Sequence, residues 1–288
     1  MTRQSFGTRL AAALGEKGPL CVGLDPHPEI LSDWGLSPDA AGLREFGQRV
    51  IEAASGRVGV IKPQVAFYEA HGPAGMQALT ETISYARHAG LLVIADAKRG
   101  DIGSTMTAYA EAWLNPERDF AADALTVSPY LGFGSLQPAV EAAERHQAGL
   151  FVLTLTSNPE GQDVQLARLQ HHVAQVARAH RTVAGQVAAE AARRNTAASA
   201  APLGHIGLVV GATTAHLAVQ HQIDLTAGSP PLLAPGYGAQ GADAQQLRRS
   251  FGRVWDQVVV NSSRGILTAG PEVADLRAAI ESSRADLG

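Results

Sequence analysis

Eight short apolar runs, rich in β-branched residues, recur along the chain. They are LCVGLD (20–25), VGVIK (58–62), LLVIAD (91–96), DALTV (123–127), LFVLTL (150–155), IGLVVG (206–211), PLLAP (231–235) and QVVVNS (257–262). Each is continuous rather than alternating in polarity, the pattern of strands buried on both faces of a parallel sheet. Helix-like stretches lie between them, among them Leu43–Ala54, Gly75–Ala89, Ser104–Leu114 and Ala242–Phe251. Successive runs start 25 to 38 residues apart, the size of one strand–helix unit, except for a step of 56 between the fifth and sixth. Eight such units predict an α/β fold, a (β/α)8 TIM barrel with residues 1–288 as a single domain. The long step predicts a helical insertion between strands 5 and 6, roughly 164–205, with an Ala-rich helical segment (Val164–Ala201) ending in the loose AASAAPLG. Before the first strand, Phe6, Leu10, Ala13 and Leu14 mark an amphipathic helix, a better reading of the Arg-bearing N-terminus than a transit peptide.

Composition narrows the function. Among 288 residues, 45% are hydrophobic, which excludes disordered and low-complexity classes. Lys+Arg is 23 and Asp+Glu is 27, so the net charge is −4, which excludes a nucleic-acid binder relying on a strong basic field. No apolar run approaches the roughly 18 residues of a membrane span. The single cysteine, Cys21, has no partner for an internal disulfide and sits in an apolar run. It reads as a buried small hydrophobe in a reducing, cytoplasmic protein.

The 23 cations are 20 Arg and three Lys: Lys17, Lys62 and Lys98. In such a chain each lysine raises the question of what Arg could not do there. Arg is locked positive, whereas Lys can release a proton and is a compact point charge. Catalytic residues of a (β/α)8 barrel lie just after the strands. Lys62 and Lys98 do; Lys17, in the turn Gly15–Gly18, does not.

The segment DAKRGDI is the most charged strand end. Asp96 and Lys98 are two residues apart on an extended run, so both side chains can face the barrel mouth. With Lys62 and Asp101 the mouth could hold Lys–Asp–Lys–Asp, each charge kept ionised by its neighbours, with a cationic proton donor beside an anionic site. The plainer alternative makes Asp101 a helix N-cap and Lys98 a surface ion pair.

Gly236-Tyr-Gly238-Ala-Gln-Gly241 matches G-x-G-x-x-G, with Asp256 20 residues after Gly236. A dinucleotide site would need that acid after a strand, and Asp256 precedes one. A glycine loop after strand 7 and Ser263-Arg264-Gly265 after strand 8 instead fit the phosphate site of such barrels, with Arg264 binding bidentately. There is no HExxH, CxxC or G-x-S-x-G, so no metal site or serine nucleophile is expected. His171 and His172 are adjacent on a predicted helix and cannot share a site; His27 reads as a solvated or supporting residue.

Together these motifs resemble the orotidine 5′-phosphate decarboxylase family, particularly its longer bacterial type 2 group. The resemblance runs through VGLDPHPE, IKPQVAFYEAHG, VIADAKRGDIGSTMTAYA, SPYLGFGSLQP, TSNPEG, LAPGYGAQG and the late Arg264. It implies conversion of orotidine monophosphate to uridine monophosphate and carbon dioxide in pyrimidine biosynthesis, without metal or cofactor. By the matching motifs, Asp25 and Lys62 would contact the ribose and Asp96 would lie beside the substrate carboxylate. Lys98 would protonate C6. Asp101 and Thr105 would reach into the neighbouring site of a homodimer. Ser157 would bind the pyrimidine, and Gln240 and Arg264 the phosphate. Ser263 stands where shorter members often carry Gly. Rival readings are a Mg²⁺-dependent sugar-phosphate decarboxylase or aldolase, which wants a carboxylate where Lys62 stands, and a Schiff-base aldolase, which wants a lysine where strand 6 ends in Gly211-Ala-Thr. A non-catalytic phosphate binder would need none of Asp96, Lys98 and Asp101.

Overall fold

All eight runs form strands. They are β1 (Leu20–Leu24), β2 (Val60–Pro63), β3 (Leu92–Arg99), β4 (Ala124–Val127), β5 (Gly149–Leu155), β6 (Ile206–Val210), β7 (Leu232–Pro235) and β8 (Val258–Ser262). In this computed structural model, which describes residues 3–169, 182–198, 201–238 and 243–288, they close into a barrel in sequence order. Every neighbouring pair is parallel, including β1 with β8. His171, His172, Gln240 and Gly241 lie outside the described residues.

Two apolar layers explain the continuous hydrophobic runs. One set of strand residues packs outward against the helices: Leu20, Val22, Ile61, Val93 and Leu125 belong to that cluster. The other set fills the barrel, one residue per strand, from Cys21, Val60, Ile94 and Ala124 to Phe151, Val209, Leu233 and Val259. Successive strand residues point to opposite sides, so a strand buried on both sides has no polar stripe.

The N-terminal helix, Phe6–Lys17, closes the bottom of the barrel. Its cap is Ser5, whose hydroxyl accepts from Thr8 N. Phe6 and Leu10 join the barrel-filling cluster, and the Phe6 ring meets Phe151 edge-on at 6.0 Å. Asp123, at the foot of β4, holds the helix in place. It accepts from Arg3 at 2.5 Å, from Arg9, and from Val93 N at 3.0 Å. Phe6→Ala is therefore expected to cost about 3–5 kcal/mol in urea unfolding. Turnover per folded molecule should stay unchanged, because the ring sits at the end opposite the strand tips.

Of the expected insertion between β5 and β6, 164–205, residues 170–181, 199 and 200 lie outside the described residues, and the helix at its centre is not an added element. The helix Val183–Ala198 buries Ala184, Val187, Ala188 and Ala191 in the main core. It packs on β5 and β6 as their own crossover helix. The surplus length therefore lies in the connection leading from β5 to this helix. Its described part holds a short helix, Gly161–Gln165, and a bridge between Arg168 and Thr182. The AASAAPLG tail is not loose at its end either: Leu203 is buried among the barrel-bottom residues.

Candidate active site

A cavity of about 840 Å³ opens where the strands end. That is ample for a nucleotide-sized ligand. Asp25, Lys62, Asp96, Lys98, Ser157, Ser263 and Arg264, drawn from the ends of five strands, all line it. Parallel closure brings together residues up to 239 positions apart because every strand points the same way.

Its charged centre is a Lys–Asp–Lys chain. Lys62 is 3% exposed and its Nζ donates to Asp96 Oδ2 at 2.7 Å. Lys98 Nζ donates to the other oxygen, Oδ1, at 2.6 Å. Burial alone would raise the Asp96 pKa, but Lys62 and Lys98 outweigh it and hold the carboxyl well below the usual range. Burial alone would lower the Lys62 pKa, but Asp96 and then Asp25 raise it above the ordinary lysine value. Asp96 and Lys62 are thus fixed as ions. The Lys98 side chain is 45% exposed and faces the cavity, so it is the member of the chain placed to meet a ligand. Cys21 behaves as expected of a buried thiol, its pKa pushed by burial up to about 12.

Lys98 has an unusual backbone. Its φ is +49°, in the left-handed region that a non-glycine residue rarely takes. The β3–β4 ladder pairs Ala95 with Leu125 and next pairs Arg99 with Val127. Four steps along β3 thus match two along β4, and the bulge holds both Asp96 and Lys98.

On the opposite side, Ser263 precedes a short helix, Arg264–Leu267, and Arg264 is exposed at the cavity rim. The Ser263 Oγ packs against Gly23 of β1. A Cβ at position 23 would stand 1.9 Å from it, so the serine fits only because β1 carries glycine there. Ser263 Oγ and Asp25 Oδ1 are buried polar atoms without a hydrogen-bond partner among the described residues. Both belong to cavity-lining residues, where a polar ligand can satisfy them. The loop glycines Gly236 and Gly238 have φ of +107° and +75°, and Gly236 lines the cavity.

Asp101 and Thr105 are set apart from these groups. Neither lines the cavity. Asp101 Oδ1 accepts from Ile102 N at 2.8 Å, while the helix Gly103–Leu114 begins without a side-chain cap. The alternative of Asp101 as N-cap therefore does not hold. Among the described residues, no group of three or more His, Cys, Asp and Glu is arranged to hold a metal ion, and no helix is long and apolar enough to cross a membrane. His27 lines the cavity and packs against Phe67, with ring centroids 4.2 Å apart and the planes tilted by 59°.

Two contributors escaped the sequence reading. Gln64 Oε1 accepts from Lys98 Nζ at 3.4 Å, and its Nε2 donates to the Asp96 carbonyl at 3.3 Å. Its place two residues after Lys62 was a usable signal, since period-two spacing puts both on one face. Thr126, within DALTV, touches Asp96 and Lys98 across the bulge. Only its polarity inside an apolar strand hinted at a role.

Fold and site together define an enzyme class: a (β/α)8 barrel carrying a Lys–Asp–Lys centre in a strand-end cavity. Comparison with known proteins sharpens this. The chain belongs to the orotidine 5′-phosphate decarboxylase / HUMPS family, whose sequence profile matches residues 18–279. It is 51% identical over 278 residues to the orotidine 5′-phosphate decarboxylase of Streptomyces coelicolor, covering 96% of this chain and 95% of that one. The Salinispora arenicola enzyme of the same name is 51% identical over 286 residues, covering 98% and 97%. A crystal structure from Streptomyces avermitilis, described as an orotidine 5′-phosphate decarboxylase, superposes with a TM-score of 0.90 at 50% identity, covering 100% and 96%. The Leishmania donovani OMP decarboxylase gives 0.74 at 30% identity, covering 99% and 98%.

Proposed function

We propose that this chain is a carboxy-lyase that converts orotidine 5′-phosphate to uridine 5′-phosphate and carbon dioxide in pyrimidine biosynthesis. The observation that carries it is the Lys62–Asp96–Lys98 chain in the strand-end cavity, in a sequence half identical to named decarboxylases over nearly its full length.

In the proposed reaction the bond between C6 and the carboxylate breaks, carbon dioxide leaves, and the electron pair stays on C6. Lys98 transfers a proton from Nζ to that carbon, and water reprotonates the amine. The pair is not passed to an organic electron sink. The developing charge is therefore met by a preorganised cation, and Lys98 serves as both counter-charge and acid. Lys62 and Asp96 keep that ammonium aimed. Gln64 adds a second acceptor for it. Asp25 and Lys62 would hold the ribose, Ser157 the pyrimidine, and Arg264 with Ser263 and Gln240 the phosphate. Binding energy from this remote phosphate holds the ring in place against the reacting groups.

The active unit is proposed to be a cytoplasmic homodimer with shared sites. Asp101 and Thr105 stand outside the cavity of their own chain. Beside them Ile102 is 62% exposed and Tyr130 79%. The two loops are joined where Ser128 N donates to the Arg99 carbonyl at 2.8 Å. A second copy would cover this apolar fringe and receive Asp101 and Thr105.

The direct test mixes purified protein with orotidine 5′-phosphate and measures carbon dioxide release with and without EDTA. Turnover is expected in both, at equal rates. No turnover in either would refute the decarboxylase reading, and loss with EDTA alone would favour a metal-dependent relative on the same barrel.

A further inference from the structure

The bulge in β3 poses a problem of hydrogen bonding. Opposite a regular β4, two more residues of β3 are accommodated than the ladder can pair. The Lys98 N–H then faces no β4 carbonyl, and an unpaired backbone donor there would be costly. Thr126 resolves this. It is 1% exposed, and its Oγ1 accepts from Lys98 N at 2.9 Å. The hydroxyl proton is then free to point elsewhere, and it donates to Asp96 Oδ1 at 3.0 Å. That same oxygen accepts from Lys98 Nζ at 2.6 Å. A closed ring results, running from the Lys98 backbone through the threonine hydroxyl and the Asp96 carboxylate to the Lys98 ammonium.

We infer that Thr126 is a positioning residue for the decarboxylation, holding Lys98 in its left-handed backbone conformation and aligning its ammonium through Asp96. The inference rests on the decarboxylase reading. Two further observations support it. The residue after Lys98 is pinned independently: Arg99 pairs with Glu69, and its guanidinium lies 5.5 Å from the Tyr109 ring and 5.7 Å from that of Trp113. With Arg99 fixed at one side, Thr126 controls what freedom Lys98 has left. The hydroxyl also has its directions assigned by its partners. An N–H can only donate and an ionised carboxylate can only accept, so the threonine cannot rotate to another arrangement without losing a bond.

The ring sets a direction for Lys98 but does not touch the phosphate side of the cavity. Thr126→Val removes the hydroxyl at nearly constant volume. It is expected to lower kcat about 100-fold, the scale of a misplacement of about 1 Å at a reacting group. KM should stay within about threefold, since ground-state binding groups are untouched. Thr126→Ser, which restores the hydroxyl, should recover kcat to within about fivefold of the unmodified enzyme. Hydrogen exchange provides a readout that needs no turnover. The Lys98 amide should exchange about tenfold faster in the valine variant and near the original rate in the serine variant.

Unchanged kcat in Thr126→Val, or a serine variant as slow as the valine one, overturns the inference. So does a KM that rises as much as kcat falls. If the valine variant does not fold, Thr126→Ala carries the same expectations. Unfolding of both would show that the threonine serves stability instead, and overturns it as well. Should the unmodified protein fail to act on orotidine 5′-phosphate, the reaction assignment falls, while the Lys98 amide still decides the positioning.

Discussion

Lys98→Arg is expected to leave the barrel folded and to lower turnover by about 10⁴-fold, the combined scale of losing a general acid and misplacing a charge at the transition state. The substitution keeps a cation beside Asp96. It removes the ability to give up a proton, because a guanidinium with a pKa above about 12 is a poor acid toward carbon near neutrality. The larger planar head also cannot occupy the point at which Nζ meets Asp96 Oδ1 at 2.6 Å. Folding should survive, because the Lys98 side chain is half exposed and faces the cavity rather than the core. Release of carbon dioxide and thermal unfolding, measured on one preparation, separate the two effects. An arginine variant with a substantial part of the original activity would show that charge alone is needed there, and proton transfer from Lys98 would have to be abandoned.

Lys98→Ala and Asp101→Ala should each be nearly inactive alone, yet active together. If each site combines Lys98 of one copy with Asp101 of the other, a mixed dimer holds one site with both residues intact and one with neither. Random reassembly of equal amounts makes half the dimers mixed, so about a quarter of full activity should return. Reassembly through mild denaturant, followed by an assay and by separation of differently tagged dimers, would measure it. Mixed dimers that form and remain inactive would show that Asp101 serves its own chain. The expectation rests on placement: Asp101 stands clear of the cavity that contains Lys98, on a loop bordered by exposed Ile102 and Tyr130.

The lysines illustrate how much of the site was legible beforehand. Their scarcity singles out three positions, and strand ends separate two of them from the third. Lys62 and Lys98 meet on Asp96, whereas Lys17 pairs with its neighbour Glu16. Gly236 and Arg264, which also follow strands, line the same cavity. The expected insertion, 164–205, takes in the Val183–Ala198 helix because alanine-rich helical periodicity looks the same on an added element and on a crossover helix; residues 170–181 of it lie outside the described residues. What distinguishes them is the partner each buries. Ala184, Val187, Ala188 and Ala191 bury the main core, which makes Val183–Ala198 part of the barrel itself.

The amino-acid sequence alone determined the eight strands, their parallel closure and the end at which chemistry gathers. Those properties follow from local periodicity, connection length and the common direction of the strands, all of which are written in consecutive residues. Tertiary structure alone decided the slip between β3 and β4, the left-handed turn at Lys98 and the ring through Thr126. It also set Asp101 aside from the cavity of its own chain. These depend on which atoms face one another across a closed barrel. A strand's pattern states which sides are apolar, but a slip in pairing is settled only when the neighbouring strand, the buried carboxylate and the donors around it must all be satisfied at once.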